Sequence, residues 1–216
     1  IYDNATNVGY PALPMDVSLA RAFIGSAAYQ YHHVSPFIEN WETKFYYNTV
    51  THIMDDSKRP EVPIRMDMPG WARTGGFYSK LSGAEGKHNW LANLSGYYNT
   101  SLAEMTMFSN NPAEKDMFML TWPDVHSFYS GIFIEDNIAI NNNWSTVFTL
   151  GAGINNNTVK DEQGLESLKI FYPQMQKSNT RLLNNISTKV NYRQQQWMLG
   201  AGIGYGERAP AVSEAY

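Results

Sequence analysis

The residues of this sequence best suited to chemistry are soft donors. Among its ten methionines, three Met-x-Met pairs occur: Met66-Asp67-Met68, Met105-Thr106-Met107 and Met117-Phe118-Met119. In a strand, residues i and i+2 point the same way, so each pair can present two thioethers together. Thioethers are soft ligands that select Cu(I), and His52 and His126 lie in the same regions and could add imidazole. The competing reading is that methionine, flexible and polarizable, fills irregular apolar gaps in loop packing. Other groupings are weaker. His32-His33 sits beside Pro36 in a stretch that reads as a turn, where adjacent side chains diverge. Asp55-Asp56 and Asp161-Glu162 are acidic pairs that suit either Ca²⁺, which wants oxygen ligands, or plain surface. There is no cysteine, which removes disulfides, a thiolate nucleophile and a Cys-based zinc site. No Gly-rich phosphate loop, Ser/His/Asp order or paired-carboxylate site stands out, so the chain reads as a non-enzyme without a resident cofactor.

These side chains need strands to position them, and the composition suits strands with two unlike faces. Charged residues are only 17%, against roughly a quarter in a typical soluble domain. Aromatics reach 14%, yet mean hydropathy is −0.41, because Tyr, Thr, Asn, Ser and Gly replace charge. Such residues fit a sheet that is apolar on one side and wet on the other. The net charge of −4 and the lack of a basic block exclude nucleic acid as a partner. No stretch approaches the roughly 18 consecutive apolar residues of a membrane helix. The opening Ile1-Tyr2-Asp3-Asn4 carries no leader pattern; the expectation is an internal piece of a longer chain rather than a processed start.

Four segments share a pattern: a polar turn, a Trp, then alternation. They are Trp41-x-Thr43-x-Phe45-x-Tyr47, Trp90-x-Ala92-x-Leu94-x-Gly96-x-Tyr98, Trp144-x-Thr146-x-Phe148-x-Leu150 and Trp197-x-Leu199-x-Ala201-x-Ile203-x-Tyr205. Period two means strand. Return strands are expected near 18–31, 71–82, 127–139 and 180–191. Short polar turns (His32 to Asn40, Gly83 to Asn89, Asn141 to Asn143, Arg193 to Gln196) join one end, and long connections near 52–70, 103–126 and 156–179 join the other. Short turns on one side and long, extracellular loops on the other is the asymmetry of bacterial outer-membrane barrels. Trp41, Trp90, Trp144 and Trp197 all fall at the short-turn end, where indoles would form a belt at one lipid–water interface. The expected fold is therefore all-β: an antiparallel transmembrane β-barrel segment of about eight strands occupying residues 1–216, with outer-membrane lipid as a partner. The alternative is a soluble or surface-exposed β-rich binding module of propeller type, which a near-regular repeat also suits.

The C-terminal string Gly204-Tyr205-Gly206-Glu207-Arg208-Ala209-Pro210-Ala211-Val212-Ser213-Glu214-Ala215-Tyr216 resembles the R-A-P-S-x-x-E-L/A-Y segment found mid-barrel in TonB-dependent outer-membrane receptors. Arg208, Ala209, Pro210, Glu214 and Tyr216 carry the likeness, and Phe133-Ile134-Glu135-Asp136 and Arg73-Thr74-Gly75-Gly76-Phe77 are similar to strands of that family. The resemblance implies a plugged barrel of about 22 strands, of which this chain is a part lacking the plug domain and the TonB-contacting segment. It implies uptake of an extracellular nutrient, with energy from the TonB–ExbB–ExbD system acting through parts outside this chain. The family's cargoes are ferric siderophores, haem, cobalamin and sometimes copper, nickel or glycans, so a metal here would be cargo: a transported ion such as copper, or a metal chelate. Pro210 cannot donate to a ladder and should mark a strand end. Arg208 is expected to point inward and pair with an inner-wall carboxylate in preference to touching substrate.

Overall fold

The computed structural model describes residues 1–9 and 14–215. Nine strands form one antiparallel sheet in strict chain order: β1 (Tyr2–Val8), β2 (Asp16–His32), β3 (Asn40–Asp55), β4 (Arg65–Glu85), β5 (His88–Phe108), β6 (Met117–Ala139), β7 (Trp144–Val159), β8 (Ser178–Gln194) and β9 (Trp197–Gly206). Two helices complete the described chain, α1 (Glu162–Phe171) between β7 and β8 and α2 (Val212–Ala215) after β9. None is long and apolar enough to cross a membrane.

The strands are long because their alternation is sustained. β4 and β5 have 21 residues each and β6 has 23, about twice the 9–11 that carry a tilted strand across a bilayer. Strand therefore takes about half of the range 52–70 and most of 103–126, and the connections at the far end shrink to 56–64, 109–116 and 160–177. The near-end turns are tight. Gly86 (φ +59°) joins β4 to β5 and Gln195 (φ +50°) joins β8 to β9, each opening a two-residue hairpin turn with the positive φ such turns require.

Two elements go beyond the expectation from sequence. β1 makes the strand count nine; its Tyr2, Asn4 and Thr6 sit opposite Phe23, Arg21 and Leu19, but so short and polar a stretch gives no alternating apolar signal. Helix α1 occupies the third long connection. Asp161, half of an acidic pair, is its N-cap: the carboxylate accepts from the Gly164 backbone N at 2.7 Å, satisfying a free donor of the first turn. Glu162 follows at the positive end of the helix. Leu165 and Gly164 are buried, and a side chain at Gly164 would collide with Pro123 of β6.

The sheet is a single layer. Buried apolar side chains are few among the described residues (Met15, Val17, Val125, Val159, Leu165 and Leu183), while large apolar residues such as Phe45, Leu94, Ile134, Phe148 and Ile186 stand exposed. One continuous nine-stranded sheet also removes the propeller alternative, since a propeller divides its strands into separate four-stranded blades.

Candidate functional site

Outside the register shifts at Val17–Leu19 of β2 and Ser101–Glu104 of β5, the registers assign strand residues to one of two faces, because directly opposed residues share a side and neighbours alternate. Trp41 pairs with Leu81 and Tyr31, Leu81 with Ala92, Ala92 with Ile134, Ile134 with Leu150, Leu150 with Ile186 and Ile186 with Tyr205. Following these pairs puts Trp41, Trp90, Trp144 and Trp197 on one face, at the short-turn end, with the apolar band above them. Tyrosines thicken the belt. Tyr29 meets Trp41 edge-on at 5.8 Å between ring centroids, Tyr192 meets Trp144 at 4.8 Å, and the Trp41 indole N–H donates to Ser79 Oγ at 2.9 Å.

The opposite face is polar over the same span. Glu42 accepts from the Tyr78 hydroxyl and forms an ion pair with Lys80 at 3.0 Å. Tyr97 stacks on Tyr129 at 5.5 Å. This face changes character toward the far end of β3–β6, where the methionines gather. Met66 of β4 lies opposite Met107 of β5, and Met107 opposite Met117 of β6. One rung nearer the Trp end, Met105 lies opposite Met119, and the β4–β5 register brings Met68 level with Met105. Met68 in turn lies opposite Met54 of β3. The three Met-x-Met pairs thus form two adjacent rows on one face, extended by a seventh methionine on the neighbouring strand.

Opposed Cβ atoms in such a sheet are about 4.5–5.5 Å apart, and a methionine side chain turns about three bonds, so neighbouring sulfurs can converge on one ion. Met117 and Met119 are 51% and 38% exposed, and the other five are half-buried. These side chains therefore stand at a partly open surface and none of the seven is in the buried core. The rim beside them is tied down. Buried Asp56 accepts from the Met66 backbone N at 3.0 Å, and the Asn110 side-chain amide donates to the Pro63 carbonyl at 2.6 Å, joining two connections.

The histidines separate. His52 is two residues before Met54 and lies opposite Gly70, two before which is Met68; it shares the methionine face. His126 lies opposite Thr100 on the Trp face. Its ring is engaged by Tyr98 Oη at 2.5 Å and Asp124 Oδ1 at 3.1 Å, so it does not join the methionine rows. The register explains this: Met119 lies opposite Met105 and His126 opposite Thr100, which are an odd number of residues apart on β5, with the β5–β6 pairing shifting between them. Met54 stands outside the three Met-x-Met pairs, although its His52-x-Met54 spacing is the same i, i+2 signal. Among the described residues no group of three or more His, Asp or Glu is placed to hold a metal, so thioether sulfur dominates the candidate ligand set.

The Arg-Ala-Pro segment leaves the sheet at Gly206, and Pro210 lies beyond the strand end as expected. Arg208 corrects the expectation about its partner. Its guanidinium forks onto both carboxylate oxygens of Glu214 at 2.6 Å, within its own segment and not on the barrel wall. The Ala211 backbone N also donates to Glu214 at 2.8 Å. The Arg208 hydrogen bonds, and after them that of Ala211, hold the Glu214 carboxyl down to about 2. Glu207 fastens the segment to β8 by accepting from the Asn184 backbone N at 2.7 Å. The Ala209 carbonyl accepts from the Arg208 guanidinium at 3.3 Å, and Tyr216 lies outside the described residues.

No family model matches the chain, and no curated protein matches it in sequence. Among solved structures it is similar to one described as the copper transporter OprC, with a TM-score of 0.77 at 16% identity. The match covers 93% of this chain and 32% of that one, so the chain spans about a third of the length of its structural neighbour. At this identity the likeness establishes the fold: an all-β, barrel-type antiparallel sheet.

Proposed function

We propose that this chain is part of the wall of a TonB-dependent outer-membrane receptor and that its methionine face collects a soft metal ion, Cu(I) before others, on the extracellular side. One observation carries the reading: seven methionines from four strands, with His52, share one face at one end of the sheet. Soft sulfur donors favour Cu(I) over hard, oxygen-seeking cations. The description of the structural neighbour as a copper transporter supports the same cargo. A ferric chelate, whose iron is already wrapped, has no need of thioethers, so a bare ion is the better match.

In this reading the Trp face meets lipid and the methionine face lines the vestibule. Apolar residues and an aromatic belt on one side, with polar residues and glycine on the other, is how a transmembrane barrel divides its strands. The methionine rows lie well past the residues needed to cross hydrocarbon, so they stand above the membrane, where cargo arrives. Energy would come from the TonB–ExbB–ExbD system through parts of the protein outside this chain.

Calorimetry with Cu(I) and with Cu(II) on the natural receptor tests the cargo. Binding of Cu(I) that disappears when the three Met-x-Met pairs are replaced by leucine is expected. No binding, or binding unchanged by that replacement, would sink the reading. The soluble-module alternative predicts a protein that stays in solution without detergent, against which the exposed apolar face argues.

A further inference from the structure

On the Trp face the strands carry more acidic residues, Asp55, Asp67, Glu85 and Asp136 among them, than basic ones, so the basic residues call for an account. Within the strands its arginines are Arg21, Arg65 and Arg73, and Arg65 is engaged by Asp56, donating to that residue's backbone carbonyl. Arg21 and Arg73 are exposed, and no side-chain hydrogen bond or ion pair is formed by either among the described residues. They flank a single strand: Arg21 lies opposite Thr51 and Arg73 opposite Thr49, both in β3. Trp71 continues the Arg21–Thr51 row, and Thr100 continues the Thr49–Arg73 row.

Their height is informative. From Trp41 to Thr49 and Thr51 along β3 is about the run, roughly 9–11 residues, that takes a tilted strand from one interface to the other. With the Trp belt at one interface, both arginines sit at the opposite one. An arginine at mid-membrane costs about 2–4 kcal/mol, but little at the interface, where its long stem can lie on apolar surface with the guanidinium among headgroups. Across β3 the two backbones are about 10 Å apart. The threonine hydroxyls between them add hydrogen-bond donors, and the Trp71 indole has the amphipathic character that settles at a headgroup boundary.

We infer that Arg21 and Arg73, with Thr49, Thr51 and Trp71, form a docking site for a phosphorylated glycolipid of the outer leaflet. The two guanidinium groups clamp the phosphates of its sugar head, and the acyl chains lie along Phe23, Phe45 and Phe77 below. Guanidinium is the side chain built for phosphate, offering paired donors in a fixed fork. The chain as a whole is acidic, with a net charge of −4, so this pair is a local positive site facing lipid and no general attraction to anions. The site rests on the outer-membrane reading above but not on the metal.

The test uses the natural receptor extracted from outer membranes, with native mass spectrometry after incubation with diphosphorylated lipid A, dephosphorylated lipid A, phosphatidylglycerol or inorganic phosphate. Wild type should retain diphosphorylated lipid A in preference to the other lipids, and the R21Q/R73Q double variant should retain about tenfold less. R21K/R73K, which keeps the charge, should recover part of the retention and covers the case in which the glutamine variant does not fold. Equal retention by wild type and a folded R21Q/R73Q variant would overturn the proposal. So would equal retention of the dephosphorylated lipid, preference for phosphatidylglycerol, or displacement by inorganic phosphate. Fractionation of the wild type separates the two levels: recovery away from the outer membrane would defeat the underlying reading, whereas recovery there with no lipid preference defeats this site alone.

Discussion

The lower and upper halves of β3–β6 follow the same backbone rule and do different work. In the lower half the Trp face bears the pattern: Trp41, Phe45, Leu94 and Ile134 stand out from the sheet beside Trp90, and the opposite face is polar. In the upper half the Trp face stays apolar with Trp71, Leu102 and Phe118, and the opposite face turns apolar as well. Met54, Met66, Met68, Met105, Met107, Met117 and Met119 occupy the face that is polar below. In the proposed outer-membrane reading, lipid covers the apolar residues low on the Trp face, whereas those high on the methionine face have no such cover, and their sulfur is what distinguishes them from leucine.

This contrast can be broken most forcefully in the lower half. Leu94→Arg places a charge in the middle of the Trp face and should cost about 2–4 kcal/mol of stability in a bilayer. Asn93→Arg, one residue away on the other face, should cost under about 1 kcal/mol, since lumenal substitutions spare the lipid contact. Urea unfolding from lipid vesicles measures both, and equal losses would mean the faces are wrongly assigned.

In the upper half the two histidines sharpen the comparison. His52→Gln should weaken Cu(I) binding about tenfold, the lower end of what losing a supporting group costs a metal site. His126→Gln, on the other face, should leave it unchanged. Competition against a chromophoric Cu(I) chelator reads both, and a larger effect at His126 would contradict the parity argument. Asp161→Ala removes the cap of α1 and should cost about 1 kcal/mol of helix stability, seen as faster hydrogen exchange in 162–171 with Cu(I) binding intact.

The smallest effect belongs to the Arg-Ala-Pro segment. The carboxyl of Glu214 is depressed to about 2, so its contribution is present above the usual carboxylate range and is lost as the pH falls through about 2. The pair is exposed, and its weight in overall stability is small. Glu214→Gln should loosen the segment at neutral pH, detected as increased proteolysis near Arg208, without changing unfolding of the sheet.

What the sequence disclosed follows the same division. The four Trp-led strands and the tight turns are local signals, a period of two punctuated by polar residues, and they survive in the structure. The upper strand halves were less legible because Asp67, Pro69, Thr106 and Pro123 interrupt a simple apolar alternation, so 52–70 and 103–126 read as loop. Gathering the Met-x-Met pairs into rows required registers between strands, which no single segment encodes. The helix α1 signal was present in Asp161, three residues ahead of Gly164, but in a long polar connection an acidic pair looks like surface. Arg208 closing on Glu214 follows from the short helix α2, which brings Glu214 back beside it, a local closure that the expectation of a distant wall partner does not include.

The central claim is that thioethers on the upper inner face hold the cargo. X-ray absorption spectroscopy of the natural receptor loaded with Cu(I) tests it directly. A first shell dominated by sulfur is the expected result, in a chain with no cysteine to supply it, and that shell should be lost when Met66, Met68, Met105, Met107, Met117 and Met119 are replaced by leucine. A shell of nitrogen and oxygen alone, or a sulfur shell that persists in the leucine variant, would contradict the account.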